Sequence, residues 1–275
     1  MGAEPAYGTT FFLDCDMQQA EAHPLAAGDA VVYSARSPDK DSANEDAAAL
    51  IAVDEHRAIV AVADGLGGHS AGAQAASAAL AALDDAVRGT PLNGSDLREA
   101  ILNGFEFANQ AVTGLGVGAG TTLAVLEIQQ HSVRPYHVGD SMIIATGQRG
   151  RLRFQTVSHS PVGYAVESGM LAEAEAMHHE DRHLVSNMVG STEMRIEIGP
   201  LIELKPRDTL LVASDGLFDN LHTDEIVARV RKGQLDKVAA TLAADCGQRM
   251  RNCEGDHPSK PDDMTFVLFR LNLRR

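Results

Sequence analysis

Cysteine is scarce in this 275-residue chain: Cys15, Cys246 and Cys253 stand alone, with no CxxC pair and no Cys/His zinc spacing. An odd number so placed excludes a disulfide framework and a thiolate metal site, and leaves ordinary buried or surface thiols. No basic run occurs, and the formal net charge is -15. Phosphate backbones are gripped by clustered Lys and Arg, so nucleic acid is excluded as a partner. No apolar stretch reaches the roughly 18 residues that span a bilayer. The first residues also lack a signal-peptide pattern, since Glu4 is the first charge and Phe11-Phe12-Leu13 is too short for an apolar core region. A cytoplasmic location is expected. Internal repeats and low-complexity linkers are missing too.

What remains is a soluble globular profile, 44% hydrophobic and 22% charged, long enough for one large core. A single domain over residues 1–275 is expected. Short apolar segments read as strands near 30–34, 47–53 and 58–63. Two long helices follow. Residues 70–87 are alanine-rich, with Ala71, Ala75, Ala78 and Ala82 expected against a sheet, and residues 96–112 carry helical periodicity behind a Ser95 or Asp96 cap. A second strand block covers 121–128, 133–138, 142–146 and 152–157, and its short links favour antiparallel pairing. Residues 161–191 break the pattern with many charges and no clear strand, as an inserted surface lid would. Strands return near 195–204 and 209–213, helices near 223–230 and 235–250, and 264–271 supplies a last strand. Such an order suggests helices covering both faces of stacked sheets.

Two of these strands run into Asp-Gly: Val60-Ala61-Val62-Ala63-Asp64-Gly65 and Leu210-Leu211-Val212-Ala213-Ser214-Asp215-Gly216. Asp-Gly between apolar runs is also a hairpin signal, but both sites lead into loops and helices instead. Further acids abut strands or their turns in Asn44-Glu45-Asp46, Gly139-Asp140-Ser141, Asp219 and Asp262-Asp263-Met264-Thr265. Hard cations such as Mg²⁺ and Mn²⁺ take oxygen ligands and need only one or two carboxylates each. Scattered single acids therefore fit a hard-metal site.

The order of these motifs, with Asp64-Gly65-Leu66-Gly67-Gly68-His69 and Gly118-Ala119-Gly120-Thr121-Thr122, resembles the metal-dependent protein phosphatases of the PPM family, also called PP2C. The resemblance runs from about Ala30 to Phe269. It implies an α+β fold, a four-layer α-β-β-α sandwich of two antiparallel sheets flanked by helix pairs, with residues 161–191 in the place of a flap beside the cleft. It implies Mg²⁺ or Mn²⁺ as cofactor, two ions with a weaker third. By motif, Asp64 bridges two ions, the Gly65 carbonyl binds one, Asp215 and Asp262 bind the other, and Asp140 helps hold the third. Glu45 and Asp46 act through metal-bound waters, and His69 is the expected general acid for the leaving oxygen. The expected activity is hydrolysis of phosphoserine and phosphothreonine in proteins. The expected partner is thus a phosphoprotein, with no membrane and a monomeric chain. Two alternatives stand beside it: a non-catalytic regulatory domain of the same fold, and a hydrolase of small phosphate esters.

One departure bears on substrate binding. Many relatives carry an Arg five residues before the second acid of the first motif, where Asp41 stands here. Arg36 and Lys40 are the candidates to grip substrate phosphate instead, Arg by a bidentate fork and Lys as a point charge. The acidity of the flap is expected to disfavour acidic phosphosites. Of the other residues, Asp219 is read first as a cap of the following helix and second as a hydrogen-bonding neighbour of the site, and His178, His179 and His183 as solvated surface.

Overall fold

A computed structural model describes residues 8–38, 40–67, 70–90, 97–116, 118–252 and 257–272. Two antiparallel sheets dominate it. The first runs in the order β1 (Gly8–Leu13), β4 (Asp46–Ala52), β5 (Arg57–Leu66), β7 (Leu123–Gln129), β8 (Ser132–Val138) and β11 (Glu197–Ile198). Two short strands join it, β6 (Gly120–Thr121) on β5 and β12 (Ile202–Glu203) on β8. The second sheet runs β10 (Leu152–Gln155), β9 (Met142–Thr146), β13 (Thr209–Ala213), β14 (Met264–Leu271), β3 (Gly28–Ala35) and β2 (Glu21–Leu25).

Strand alternation sorts the side chains into layers, because successive residues point to opposite faces. On β5, Ile59, Ala61 and Ala63 join a core with the helices α1 (Ser70–Gly89) and α2 (Leu97–Gly114). Ala58, Val60 and Val62 face the other way, into a core shared with Val212, Val267 and Phe269 of the second sheet. That sheet's opposite face, with Leu211, Phe266 and Leu268, meets Leu217 and Phe218 of α5 (Asp215–Phe218). Ile226 and Val230 of α6 (Thr223–Val230) and Leu242 and Cys246 of α7 (Leu235–Arg251) complete that layer. The result is the expected α-β-β-α stack.

Some expectations shift in detail. The most deeply buried stripe of α1 is Ala75, Ala76, Ala79, Leu80 and Leu83, while Ala71, Ala78 and Ala82 lie at its margins. Gly104 of α2 lies against Leu83, where a Cβ would come within 2.6 Å of Leu83 Cδ1. Small residues thus serve helix–helix contact as well as the sheet. The expected helix cap at Ser95 or Asp96 lies outside the described residues. Strands β1 and β2, absent from the sequence reading, form edges of the two sheets, and the expected strand at 195–204 is reduced to β11 and β12. The insert holds no strand; it contains α3 (Pro161–Glu167), α4 (Glu173–Ala176) and a 3-10 turn at Glu180–His183.

The β4–β5 hairpin is closed by Asp54. Its carboxylate accepts N–H bonds from His56 at 2.8 Å and Arg57 at 2.7 Å, and from Arg57 Nε at 2.7 Å. This turn sets the register along the whole ladder, in which Ile51 opposes Ile59, Ala49 opposes Ala61 and Asp46 opposes Asp64.

Candidate active site

At the end of the inter-sheet layer the apolar filling stops and polar side chains replace it. Asp46 and Asp64 continue the even-numbered face that carries Ala48, Leu50, Val60 and Val62 inward. They stand directly opposite each other on adjacent strands, an arrangement that like charges destabilise. Across the layer, Ser34 and Thr265 share a 2.7 Å hydroxyl contact, and Ser214 Oγ donates to Asp46 Oδ2 at 2.7 Å.

The backbone around Asp64 is held tightly. Its N–H donates to Thr122 Oγ1 at 2.9 Å, and its carbonyl accepts from Thr122 N and Thr121 Oγ1, each at 2.8 Å. Asp140 enters from the turn after β8. Gly139 there has φ +103°, a left-handed conformation that glycine tolerates. A Cβ on Gly139 would also come within 2.6 Å of Thr122 Cβ. Asp215 opens α5, and Asp262-Asp263 precede β14, whose Thr265 carbonyl accepts from Ser214 N at 3.0 Å.

Two lysines flank these acids. Lys40 Nζ lies 2.5 Å from Glu45 Oε2 and 2.6 Å from Asp263 Oδ2. Asp263 also takes the backbone N–H groups of Ser37 at 2.8 Å and Glu45 at 2.6 Å, so it ties the loop before β4 to the start of β14. Lys260 Nζ lies 2.6 Å from Asp215 Oδ2, 2.7 Å from Asp219 Oδ2 and 3.2 Å from Asp262 Oδ2.

The electrostatics follow this layout. Burial, reinforced by neighbouring carboxylates, holds the carboxyl groups of Asp46, Asp64 and Asp140 well above the ordinary range. Burial and the charge of Asp215 push Asp219 up to about 6 and Asp262 up to about 7, with Lys260 opposing. Asp215 alone is held low: burial opposes this, and Lys260 outweighs it. Two buried carboxylate oxygens, Glu45 Oε1 and Asp140 Oδ1, have no hydrogen-bond partner among the described residues. A buried carboxylate without a counter-charge costs several kcal/mol, so this end of the molecule is short of positive charge.

A divalent cation fits that deficit. The donors are all oxygens, as Mg²⁺ and Mn²⁺ prefer. The first turn of α1 comes so close to Gly65 that a Cβ on Gly72 would meet Glu45 Oε1 at 2.5 Å and Gly65 O at 2.7 Å. Only a residue without a side chain leaves room for the Glu45 carboxylate beside that carbonyl.

The sequence-predicted residues Glu45, Asp46, Asp64, Gly65, Asp140, Asp215 and Asp262 thus gather at one end of the sandwich. His69 lies outside the described residues. The two phosphate candidates separate: Lys40 sits beside Glu45, whereas Arg36 is 43% exposed and pairs with Asp16 at 3.2 Å. His178 and His183 are exposed, as expected, and His179 accepts the N–H of Asp181 at the 3-10 turn. For Asp219 the second reading holds and capping of the next helix does not: its carboxylate meets Lys260 beside the other acids, and the residue before α6 is His222. Sequence reasoning missed Lys260 altogether, although its place two residues before Asp262 was a usable signal. It also missed His137, His159 and Glu197, whose ligand atoms lie within 4.8 Å of one another. His159 Nε2 is 3.1 Å from Glu197, and its Nδ1 accepts from Gly139 N at 3.1 Å, bracing the turn that carries Asp140.

Comparison with known proteins agrees with this geometry. The profile described as "Protein phosphatase 2C" matches residues 36–251. The serine/threonine phosphatase stp of Listeria welshimeri is 30% identical over 239 residues, 84% of this chain and 91% of its own. Protein phosphatase PhpP of Streptococcus pneumoniae is 34% identical over 178 residues, 62% of this chain and 71% of its own. Among solved structures, the S. agalactiae serine/threonine phosphatase superposes with a TM-score of 0.75 at 26% identity, covering 88% of this chain and 98% of its own. The catalytic domain of PstP, solved with two manganese ions, has the same fold, with a TM-score of 0.67 at 24% identity over 88% of this chain and 96% of its own. The chain belongs to the protein phosphatase 2C family. It is a serine/threonine protein phosphatase, which sets aside the non-catalytic alternative.

Proposed function

We propose that the chain is a single-domain, monomeric and cytoplasmic phosphatase that uses Mg²⁺ or Mn²⁺ to hydrolyse phosphoserine and phosphothreonine in proteins. The observation that carries the metal requirement is the facing pair Asp46 and Asp64, with Asp140 and Glu45 each leaving a buried oxygen unpartnered among the described residues. In this reading Asp64, the Gly65 carbonyl, Asp215 and Asp262 would hold two ions, with Asp140, Glu45 and Asp46 acting beside them. When bound, such ions neutralise the phosphoryl oxygens and activate a water for in-line attack on phosphorus.

The chain's own groups then have separable tasks. The Thr121 and Thr122 bonds keep the Asp64 backbone fixed, so its carboxylate needs no reorganisation when substrate arrives. Lys40 is the better candidate for the substrate phosphate. An ammonium has three donors, and Glu45 and Asp263 take two, leaving one for a phosphoryl oxygen. His69 gives its proton to the leaving serine or threonine oxygen. The flap lies beside the site: a cavity of about 320 Å³ is bounded by Asp140, Asp215 and Asp219 on one side and by Val162, Val166 and Met177 on the other. It is the proposed place for protein substrates to be selected.

The test is phosphate release from a phosphothreonine peptide. Turnover with Mn²⁺, its loss with a chelator and its absence in Asp64→Ala are expected. Turnover of an aryl phosphate with none of any phosphopeptide would transfer the assignment to small phosphate esters.

A further inference from the structure

Lys260 is positioned with more care than a surface ammonium needs. Its backbone is clamped by one buried amide: Asn220 Oδ1 accepts the Lys260 N–H at 2.8 Å, and Asn220 Nδ2 donates to the Lys260 carbonyl at 2.8 Å. Asn220 Nδ2 also donates to Gly216 O at 2.8 Å, which locks the segment to α5 one residue after Asp215. The preceding residue is fixed as well, since Ser259 Oγ donates to Arg249 O at 2.9 Å and Arg182 Nη2 donates to Ser259 O at 3.1 Å. Pro261 then restricts the backbone between Lys260 and Asp262.

The side chain so delivered is four-fifths buried and reaches three carboxylates on two separate chain segments. Two of its N–H donors are hydrogen-bonded to Asp215 and Asp219, and Asp262 lies at ion-pair distance from the third side. Three acids drawn around one centre is what a divalent cation would otherwise have to achieve.

We propose that Lys260 is a built-in cation, whose ammonium occupies the space between Asp215, Asp219 and Asp262 in place of the weaker third ion, beside the two-ion site that includes Asp64. It rests on the reading of Asp215 and Asp262 as cation ligands. The consequence is a lower metal complement: the protein binds one ion fewer than its carboxylates would hold without the lysine. The resident charge also keeps these acids together when metal is absent, whereas Asp46, Asp64 and Asp140 depend on added ions.

The test is to count Mn²⁺ bound to the full chain by isothermal titration calorimetry, with equilibrium dialysis as a check. Lys260→Met is expected to bind one more Mn²⁺ per chain than the native protein, or to bind its weakest Mn²⁺ at least tenfold more tightly. Lys260→Arg keeps the charge and is expected to match the native count. Identical counts and affinities in native protein and Lys260→Met would overturn the proposal. Absence of Mn²⁺ binding by either would overturn the metal reading and the proposal with it. A second measurement needs no variant: acetylation of the native protein with a water-soluble N-hydroxysuccinimide ester, mapped by peptide mass spectrometry. Lys260 is expected to stay protected with and without saturating Mn²⁺. If Mn²⁺ makes it reactive, the metal displaces the lysine and the proposal fails.

Discussion

Lys40 and Lys260 flank the same set of acids, yet their bonding differs. Among the described residues Lys40 meets two carboxylates, whereas Lys260 is surrounded by three. The loop before β4 supplies Lys40 through one ion-paired contact region, while Lys260 is gripped on both sides of its peptide by Asn220. An ammonium paired on two sides can greet a ligand; one enclosed by three acids acts as part of the scaffold. Between them Asp46, Asp64 and Asp140 have no ammonium partner among the described residues, and that is where added charge has most to do.

The sharpest way to break this contrast is to remove a middle acid. Asp64→Ala is expected to lower kcat/KM on a phosphothreonine peptide by about 10³-fold or more, because a metal-assisted step of several kcal/mol is lost. A loss below tenfold would put the centre elsewhere.

Next in size is the response to metal. Ions that bind only the folded chain stabilise it by about 2.7 kcal/mol at a hundredfold excess over Kd, a rise of roughly 5–10 °C in Tm for a domain of this size. Differential scanning calorimetry with Mn²⁺ and with chelator reads it, and an unchanged Tm would count against the facing acids as ligands.

The third prediction concerns pH without metal. Asp219 and Asp262 bind protons up to about 6 and about 7 in the folded chain, above the ordinary carboxylate value, so the native state holds more protons than the unfolded state between about pH 4 and 7. Stability is therefore greatest at the acid end of that window and falls as pH rises through it. Melting in chelator is expected to drop by about 5 °C from pH 5 to pH 8. With Mn²⁺ bound that slope should flatten, and a rising Tm in chelator would contradict the assignment.

The smallest effects compare the two phosphate candidates. Lys40→Ala is expected to raise KM for an aryl phosphate by about tenfold, the worth of one charge-assisted bond. Arg36→Ala should change it by less than about twofold, since an exposed pair such as Arg36–Asp16 contributes little. The reverse ranking would move the phosphate contact to Arg36.

Much of this arrangement was legible in the chain. Alternation located β4, β5, β13 and β14, and the order of acids located the site, because local pattern dictates both. Strands β1 and β2 escaped because edge strands carry little apolar signal: β1 buries only Phe12, and β2 only Leu25. For Asp219 a cap ranked ahead of a hydrogen bond to the site because its nearest sequence neighbours suggest one. Its true partner lies 41 residues away. The His137–His159–Glu197 group draws its meaning from such distant pairings, which spacing alone does not encode, and Lys260 shares them beyond its nearness to Asp262.

The Asp54 turn has a consequence for how this enzyme tolerates change. From that turn to Asp46 the strand runs about 25 Å, at roughly 3.3 Å per residue. A single inserted residue there would slide β4 along β5 by one position, carry Asp46 to the helix-facing side and bring Ala47 into its place, and a deletion would bring Glu45 there instead. The hairpin works as a ruler, measuring at one end of the sandwich the distance between two charges at the other.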